Sequence, residues 1–254
     1  MFWKEPAGAS VEKDLSKPHE VIDIVTTPDG SPVAMVHCNN CTSDLNAWVG
    51  LFKEFLEASG LPVDMNTIFV NLFNTALKAN PDCGGIISYN YVSGEPVTGF
   101  ADGRPLFVRS ATDKFNLANF MRAIISGAIG VLKIGNDILF NEEKIKVDRI
   151  TGHGGLFTTP VVGQKILAAA LNSPISCMET AGEGGPWGMA ILASYLVNNS
   201  KNQSLAEFLD EAVFAGNTGT EIAPTPEEVE GFNTYIENYK KCLGIEKAAV
   251  ELKD

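Results

Sequence analysis

Residues 151–155 read TGHGG and stand between an apolar stretch, VDRIT, and a helix-like run that opens at Pro160. A glycine has no Cβ, so a run of them lets backbone approach a ligand closely, and the helix that follows offers unpaired N–H groups and a positive dipole end. Such a turn can cradle a nucleotide or a phosphate. It can equally be a tight turn and nothing more, with Thr159 as N-cap and Pro160 at the first helical position starting the helix unaided. The spacing is neither a P-loop nor the G-x-G-x-x-G fingerprint, so both readings stand at this level. His153 sits inside the turn, where it can touch a nucleotide or lie exposed. No nucleophile or orienting carboxylate accompanies it in the local sequence, so base chemistry has no support there.

A second turn, ETAGEGGPWG, repeats the logic with Gly182, Gly184 and Gly185. Glu179 and Glu183 can be read as an acid/base pair, or as acids that favour the start of the next helix while the glycines admit close packing. HCNNC places His37 beside Cys38 and Cys41 and invites a metal reading. A structural zinc site takes four ligands, commonly as two such pairs, and Cys83, Cys177 and Cys242 stand alone. The motif falls where an apolar strand passes into a helix, a place where cysteine behaves as a small hydrophobe. No metal ligand is assigned.

The elements that must position these residues follow from periodicity. Two apolar runs, VIDIVTT and PVAMVHC, flank PDGS and predict a hairpin. Leu45, Trp48, Val49, Phe52, Phe55 and Leu56 recur at helical spacing behind a Thr-Ser-Asp cluster suited to capping, and Gly60 can end the helix. A second helix is expected over 65–79, then short strands in GIISYNYVSGEP and GRPLFVR. The segment NLANFMRAIISGAIGVLKIGNDILF is apolar on nearly all sides and predicts a buried helix. Its Gly127 and Gly130 cost helix stability against alanine, which points to close packing on a neighbour. From 147 the order is strand, glycine turn, helix 160–171, strand PISCM, glycine turn, helix 186–197. This βαβα unit implies parallel strands covered by helices, with ligands at the carboxyl ends of the strands. A short helix near 204–214, a polar loop GNTGTEIAPTP and a last amphipathic helix bearing Phe232, Tyr235, Ile236 and Tyr239 complete an α/β domain with a helical tail. The first twenty residues show no clear period and read as a lead-in.

Composition bounds the function. The chain has 254 residues, a hydrophobic share of 45% and a net charge of −12, enough apolar content for a sizeable core and too acidic for a nucleic-acid or anionic-membrane partner. No basic start with an apolar h-region opens the sequence, and the apolar run AIISGAIGVL is about half the ~20 residues of a membrane span. An odd number of thinly spread cysteines suits a reducing, cytoplasmic setting.

Several stretches, in order, resemble the FGGY carbohydrate kinases. VHCNNCTSDLNAWVGLFKEF is similar to their segment opening a Trp-bearing helix. ISYNYVSGEPVTGFADGRPLFVRSATDKFNLANFMRAIISGAIGVL resembles their Ser-Gly-Glu loop, the strand after it and the helix with an Arg-Ala pair, here Arg122 and Ala123. ITGHGGLFTTPVVGQKILAAALNSPI resembles the glycine-rich adenosine-contacting segment, METAGEGGPWGMAILASYL the helix after it, and PTPEEVEGFNTYIENYKKCL the closing helix. The resemblance spans about residues 30–243, and among family members the xylulose and ribulose kinases look closest. It implies a ribonuclease H-like, actin-like ATPase fold with a mixed sheet flanked by helices, ATP in a cleft between two domains, and sugar held mostly by the N-terminal one. This chain then corresponds to the C-terminal domain, residues 21–254, with 1–20 a remnant of the preceding segment. By the same resemblance Gly152, Gly154, Gly155 and Thr159 contact the nucleotide, and Mg²⁺ is held mainly through it.

The departures are specific. The family's catalytic aspartate lies in a G-GDN-A segment that has no counterpart here, so no catalytic residue is assigned. Its phosphate-binding turn is echoed only by PAGAS at 6–10, and TGHGG replaces the usual TGGGA. The resemblance therefore implies the ATP-binding half of a kinase acting on a pentulose or related sugar, incomplete on its own. Its partners are ATP/ADP, sugar through a missing N-terminal domain, and a second copy or an N-terminal half on an exposed apolar patch. A non-catalytic interaction module with the same fold is the alternative, and an actin-like ATPase acting on something other than sugar is a third.

Overall fold

The computed structural model describes residues 7–10, 15–182, 184–198, 203–216 and 219–252. Near the N-terminus β1 (Ala7–Ser10), β2 (Ile22–Thr26) and β3 (Pro32–Val36) form an antiparallel sheet with β3 in the centre. The predicted hairpin is β2–β3, in register Ile22 to Val36, closed by Thr27 and Ser31 with Gly30 at φ +90°. The lead-in contributes more than its lack of period suggested, since residues 7–10 pair with Val33–Val36 of β3. Residues 16–19 are fastened too: Glu143 accepts from Ser16 N–H at 2.7 Å and from Ser16 Oγ at 2.9 Å, and lies 2.5 Å from His19 Nε2.

Helix α1 (Ser43–Ala58) ends at Gly60, whose φ of +70° lets Leu61 N–H reach back to Leu56. Its Thr-Ser-Asp cluster does not cap by side chain; the Asp44 carboxylate instead accepts from Trp48 Nε1 at 3.0 Å. Helix α2 (Met65–Ala76) is shorter than the predicted 65–79 and is capped by Asp64. A two-stranded hairpin, β4 (Ile87–Tyr89) with β5 (Leu106–Val108), leads to the long helix α3 (Leu117–Asp137), which Asn116 caps and a π-turn at Ile138–Glu142 prolongs. Helix α3 is buried through most of its length and packs on α2, β4 and α4. Although Leu117–Glu142 is long and apolar enough to cross a membrane, this burial makes it the core helix of the domain.

Beyond α3 come β6 (Ile150–Thr151), α4 (Val162–Leu171), β7 (Ile175–Cys177), α5 (Gly184–Asn198), α6 (Leu205–Phe208) with a π-turn to Val213, β8 (Thr220–Ile222) and α7 (Pro226–Glu251). Strands β6 and β7 are parallel, as the βαβα pattern requires, and β8 joins β7 antiparallel. The polar loop expected around 216–226 thus holds a strand. The cause is tertiary: Gln164 Nε2 donates to both Ile175 O (3.1 Å) and Thr220 O (3.0 Å), and Ser176 Oγ donates to Glu221 (3.1 Å). Thr225 caps α7, which lays Phe232, Tyr235, Ile236 and Tyr239 into the core, where Tyr239 Oη meets Tyr91 Oη at 3.0 Å.

Candidate nucleotide site

Because β6 and β7 are parallel neighbours, their carboxyl ends lie side by side and the two glycine turns meet. Gly152 N–H donates to Ser176 O at 2.8 Å and Gly154 N–H to Ala181 O at 2.7 Å, so the second bond ties one turn to the other. The four residues expected to contact nucleotide are brought into one turn, but each is placed differently. A Cβ on Gly152 would stand 2.4 Å from the Phe157 ring, so close packing inside the turn accounts for that glycine. Gly154 has φ +97°, a backbone shape that glycine takes at no steric cost. Gly155 is exposed, its φ is not positive, and a Cβ there would meet nothing within 4 Å among the described residues. The fold therefore gives no internal reason for glycine at 155. Thr159 is buried.

The expected start of α4 is displaced. Thr159 is not its N-cap and Pro160 is not its first residue; the cap position is Val161, at φ +74° and ψ −43°, and Val162 N–H bonds to Pro160 O. That is a γ-turn of the strained hand, unusual for a β-branched residue. Among the described residues no side chain caps α4, whereas Asp64, Asn116, Ser204 and Thr225 cap α2, α3, α6 and α7. An uncapped N-terminus beside an open glycine suits an anionic group. The second turn adds Gly184, Gly185 and Gly188, each with open space where a Cβ would stand, and a buried Thr180 Oγ1 with no hydrogen-bond partner among the described residues. Glu179 is exposed, and Glu183 lies outside the described residues. His153 is exposed and has no hydrogen-bond or ion-pair partner among the described residues.

Behind the first turn lies a cavity of about 320 Å³, bordered by Gly152, His153 and residues of α3, α4 and the β3–α1 connection. Cys38 and Cys41 face it rather than a metal cluster: Cys38 is buried, burial raises its thiol pKa, and no group of three or more candidate ligands occurs among the described residues. Within HCNNC the asparagines do the structural work. Glu95 Oε2 accepts from Asn39 N–H (3.0 Å), Asn40 N–H (3.1 Å) and Asn40 Nδ2 (3.1 Å), and Asn40 Oδ1 accepts from Ser93 N–H (3.0 Å). This locks the end of β3 to the Ser-Gly-Glu loop. Burial outweighs those bonds and holds the Glu95 carboxyl above its ordinary value. The sequence reading missed this anchor, whose only sign was a pair of amides beside a strand end.

The sequence model for the FGGY family of carbohydrate kinases, C-terminal domain, matches residues 10–197. The chain belongs to that family. Its fold is accordingly the ribonuclease H-like, actin-like ATPase fold. No curated protein sequence matches the chain. Among solved structures it is similar to a ligand-bound xylulose kinase from Lactobacillus acidophilus, at 19% identity and a TM-score of 0.71, over 96% of this chain and 46% of that one. A gluconate kinase from the same organism gives 20% identity and 0.69, over 95% and 45%. A Plasmodium falciparum glycerol kinase with ADP gives 14% and 0.57, over 89% and 42%. The chain thus spans about half the length of the FGGY kinases it matches.

Proposed function

We propose that this FGGY domain is the ATP-binding half of a cytoplasmic sugar kinase, which transfers the γ-phosphoryl of Mg²⁺-bound ATP to a hydroxyl of a pentulose or related carbohydrate. The observation that carries the reading is Gly155, an exposed glycine with open space before it, beside the uncapped start of α4. Gly152 and Gly154 hold the turn in shape, and Thr159 supports it from within. The sugar site and the catalytic base belong to the N-terminal half, so this chain alone phosphorylates no sugar. Residues 21–254 form the domain unit in this reading, with 1–20 a remnant of what precedes it.

Thermal unfolding with and without millimolar Mg·ATP or Mg·ADP, in the wild type and in Gly155→Val, tests it. Binding to the folded state at ~100 times the dissociation constant adds about 2.7 kcal/mol, which for a domain of this size raises the midpoint by about 5–10 °C. Gly155→Val leaves the ligand-free midpoint nearly unchanged, since its side chain enters open space, and abolishes the shift. Equal shifts in both proteins, or none in either, refute the site.

The second reading, a non-catalytic interaction module, is favoured by α5. No residue of this apolar helix is buried, and Met189, Leu196 and Val197 are 67%, 79% and 82% exposed. Such a stripe suits pairing with a second copy or with an N-terminal half. A strictly monomeric sedimentation profile at high concentration counts against it.

A further inference from the structure

Helix α4 is tethered by polar bonds at the end that meets the glycine turn. Two consecutive side chains of its first turn reach different layers of the domain. Gln164 is buried and donates through Nε2 to Ile175 O of β7 (3.1 Å) and to Thr220 O of β8 (3.0 Å). Lys165 reaches α7 instead, its Nζ standing 3.0 Å from Glu228 Oε1 in the first turn of that helix. Neighbouring residues of a helix project about 100° apart. Two tethers in those directions fix both where the helix begins and how it is rotated about its axis.

Lysine is an unexpected residue at this position. A cation in the first turn opposes the helix dipole, which favours acids at that end. Nor does Glu228 need its charge, since Arg122 of α3, fully buried, already bonds that carboxylate through Nη2. Arg122 and Glu228 are neutral as a pair, and Lys165, whose side chain is 33% exposed, is the surplus cation. What the lysine adds is a span from the start of α4 to the start of α7.

That span sits where the backbone is strained. Lys165 N–H donates to Val161 O at 2.8 Å, and Val161 holds the φ of +74° at which Val162 N–H bonds to Pro160 O. Strain of this kind persists only where the surroundings over-determine it. Here they do so through the two tethers and through the close approach of Gly163 to Leu156 O, which a Cβ would meet at 2.6 Å.

We infer that Lys165 is a positioning residue for the nucleotide turn: held by Glu228, it fixes the first turn of α4 at the place and angle from which that end faces the bound nucleotide. The role rests on the ATP reading above, and the lysine itself does not touch the ligand. Without the tether Val161 relaxes and α4 begins in several arrangements. Ligand then binds only the fraction that keeps the present one.

Calorimetric titration with Mg·ADP tests this, at a temperature where circular dichroism shows every variant folded. A change in stability alone leaves the dissociation constant of folded protein untouched, so the readout separates positioning from mere stabilisation. Lys165→Met raises the constant about tenfold, as a competent fraction of about one tenth requires. Lys165→Arg still reaches Glu228 and restores it to within about threefold of wild type. The double variant Arg122→Met/Glu228→Gln removes the buried charge and the anchor together, and weakens binding as much as Lys165→Met does. Amide exchange without nucleotide is the second readout: in Lys165→Met the Val162 and Lys165 amides exchange about tenfold faster, while those in the middle of α3 do not change. Equal affinity of Lys165→Met and wild type overturns the inference, as do unchanged amides at the start of α4. So does a double variant that binds like wild type while Lys165→Met does not, which makes the lysine a direct ligand contact. Wild type that binds no Mg·ADP overturns the ATP reading and this role with it; failure of the role alone leaves wild-type binding intact.

Discussion

One substitution made at three glycines should give three different results. Gly127, Gly130 and Gly188 all lie inside helices, where alanine is favoured by about 0.8–1 kcal/mol. At Gly188 the added methyl meets nothing within 4 Å, so Gly188→Ala stabilises by about that full amount. At Gly130 the nearest atom is the end of the Ile236 side chain, 3.3 Å away, which can yield a few tenths of an ångström. Gly130→Ala keeps part of the gain, about 0.5 kcal/mol. At Gly127 the methyl would stand 2.4 Å from the backbone oxygen of Ser88. Restoring ordinary contact requires α3 and β4 to separate by about 1 Å, because a strand oxygen cannot rotate away. Forced overpacking of this kind costs about 1–3 kcal/mol, so after the helix gain Gly127→Ala destabilises by about 1–2 kcal/mol. With a urea slope of about 3 kcal/mol/M, the midpoint falls by about 0.5 M for Gly127→Ala and rises by about 0.3 M for Gly188→Ala. If Gly127→Ala is as stable as Gly188→Ala, the close packing of α3 on β4 is wrong, and with it the frame that holds the cavity.

Other perturbations test the core and the lead-in. Arg122 is fully buried, with Nη2 on Glu228 and with Nε and Nη1 lacking partners among the described residues, while Lys165 reaches the same carboxylate at 3.0 Å. Glu228→Gln leaves that guanidinium without its counter-charge and costs about 3–5 kcal/mol, whereas Arg122→Met costs less, since it removes the buried charge itself; chemical denaturation ranks the two. Burial alone would raise the Glu228 carboxyl, but Arg122 and then Lys165 hold it below the ordinary value, so stability from this pair declines in acid. Glu143 is lowered to about 2, chiefly by the hydrogen bond from His19 and next by Ser16 N–H. Its contribution is complete above the unfolded value of 4.5 and disappears as pH falls toward 2. The stability gap between wild type and Glu143→Gln should therefore be constant from pH 7 to 5 and shrink below that; a gap that widens in acid removes Glu143 as the tether of residues 16–19.

Much of the fold was legible because its signals are local. The periodicity of α1 and α3, the PDGS turn of the hairpin, the glycine that stops α1 and the strand–turn–helix order around TGHGG all depend on residues near one another in the chain. Even the close packing at Gly127 could be read, since a glycine inside an apolar helix has few other uses. What the sequence could not supply was pairing over distance. Strand β8 exists because Gln164 and Ser176 hold a polar segment some 45 to 56 residues away. The attachment of residues 7–10 to β3 and the anchoring of Asn39 and Asn40 on Glu95 are likewise tertiary bonds with no periodic trace.

The glycine turn divides the same way. Its composition alone determined that backbone can come close to something there, and the resemblance to FGGY kinases said what that something is. Only the tertiary structure separated the glycines by role: Gly152 against the Phe157 ring, Gly154 bound to Ala181, Gly155 open to solvent. It alone showed that, among the described residues, β6 pairs with β7 and ends beside a cavity lined largely by apolar side chains. Residue types fix which local conformations are cheap, but which backbone groups find partners is decided by segments that meet only when the chain has folded.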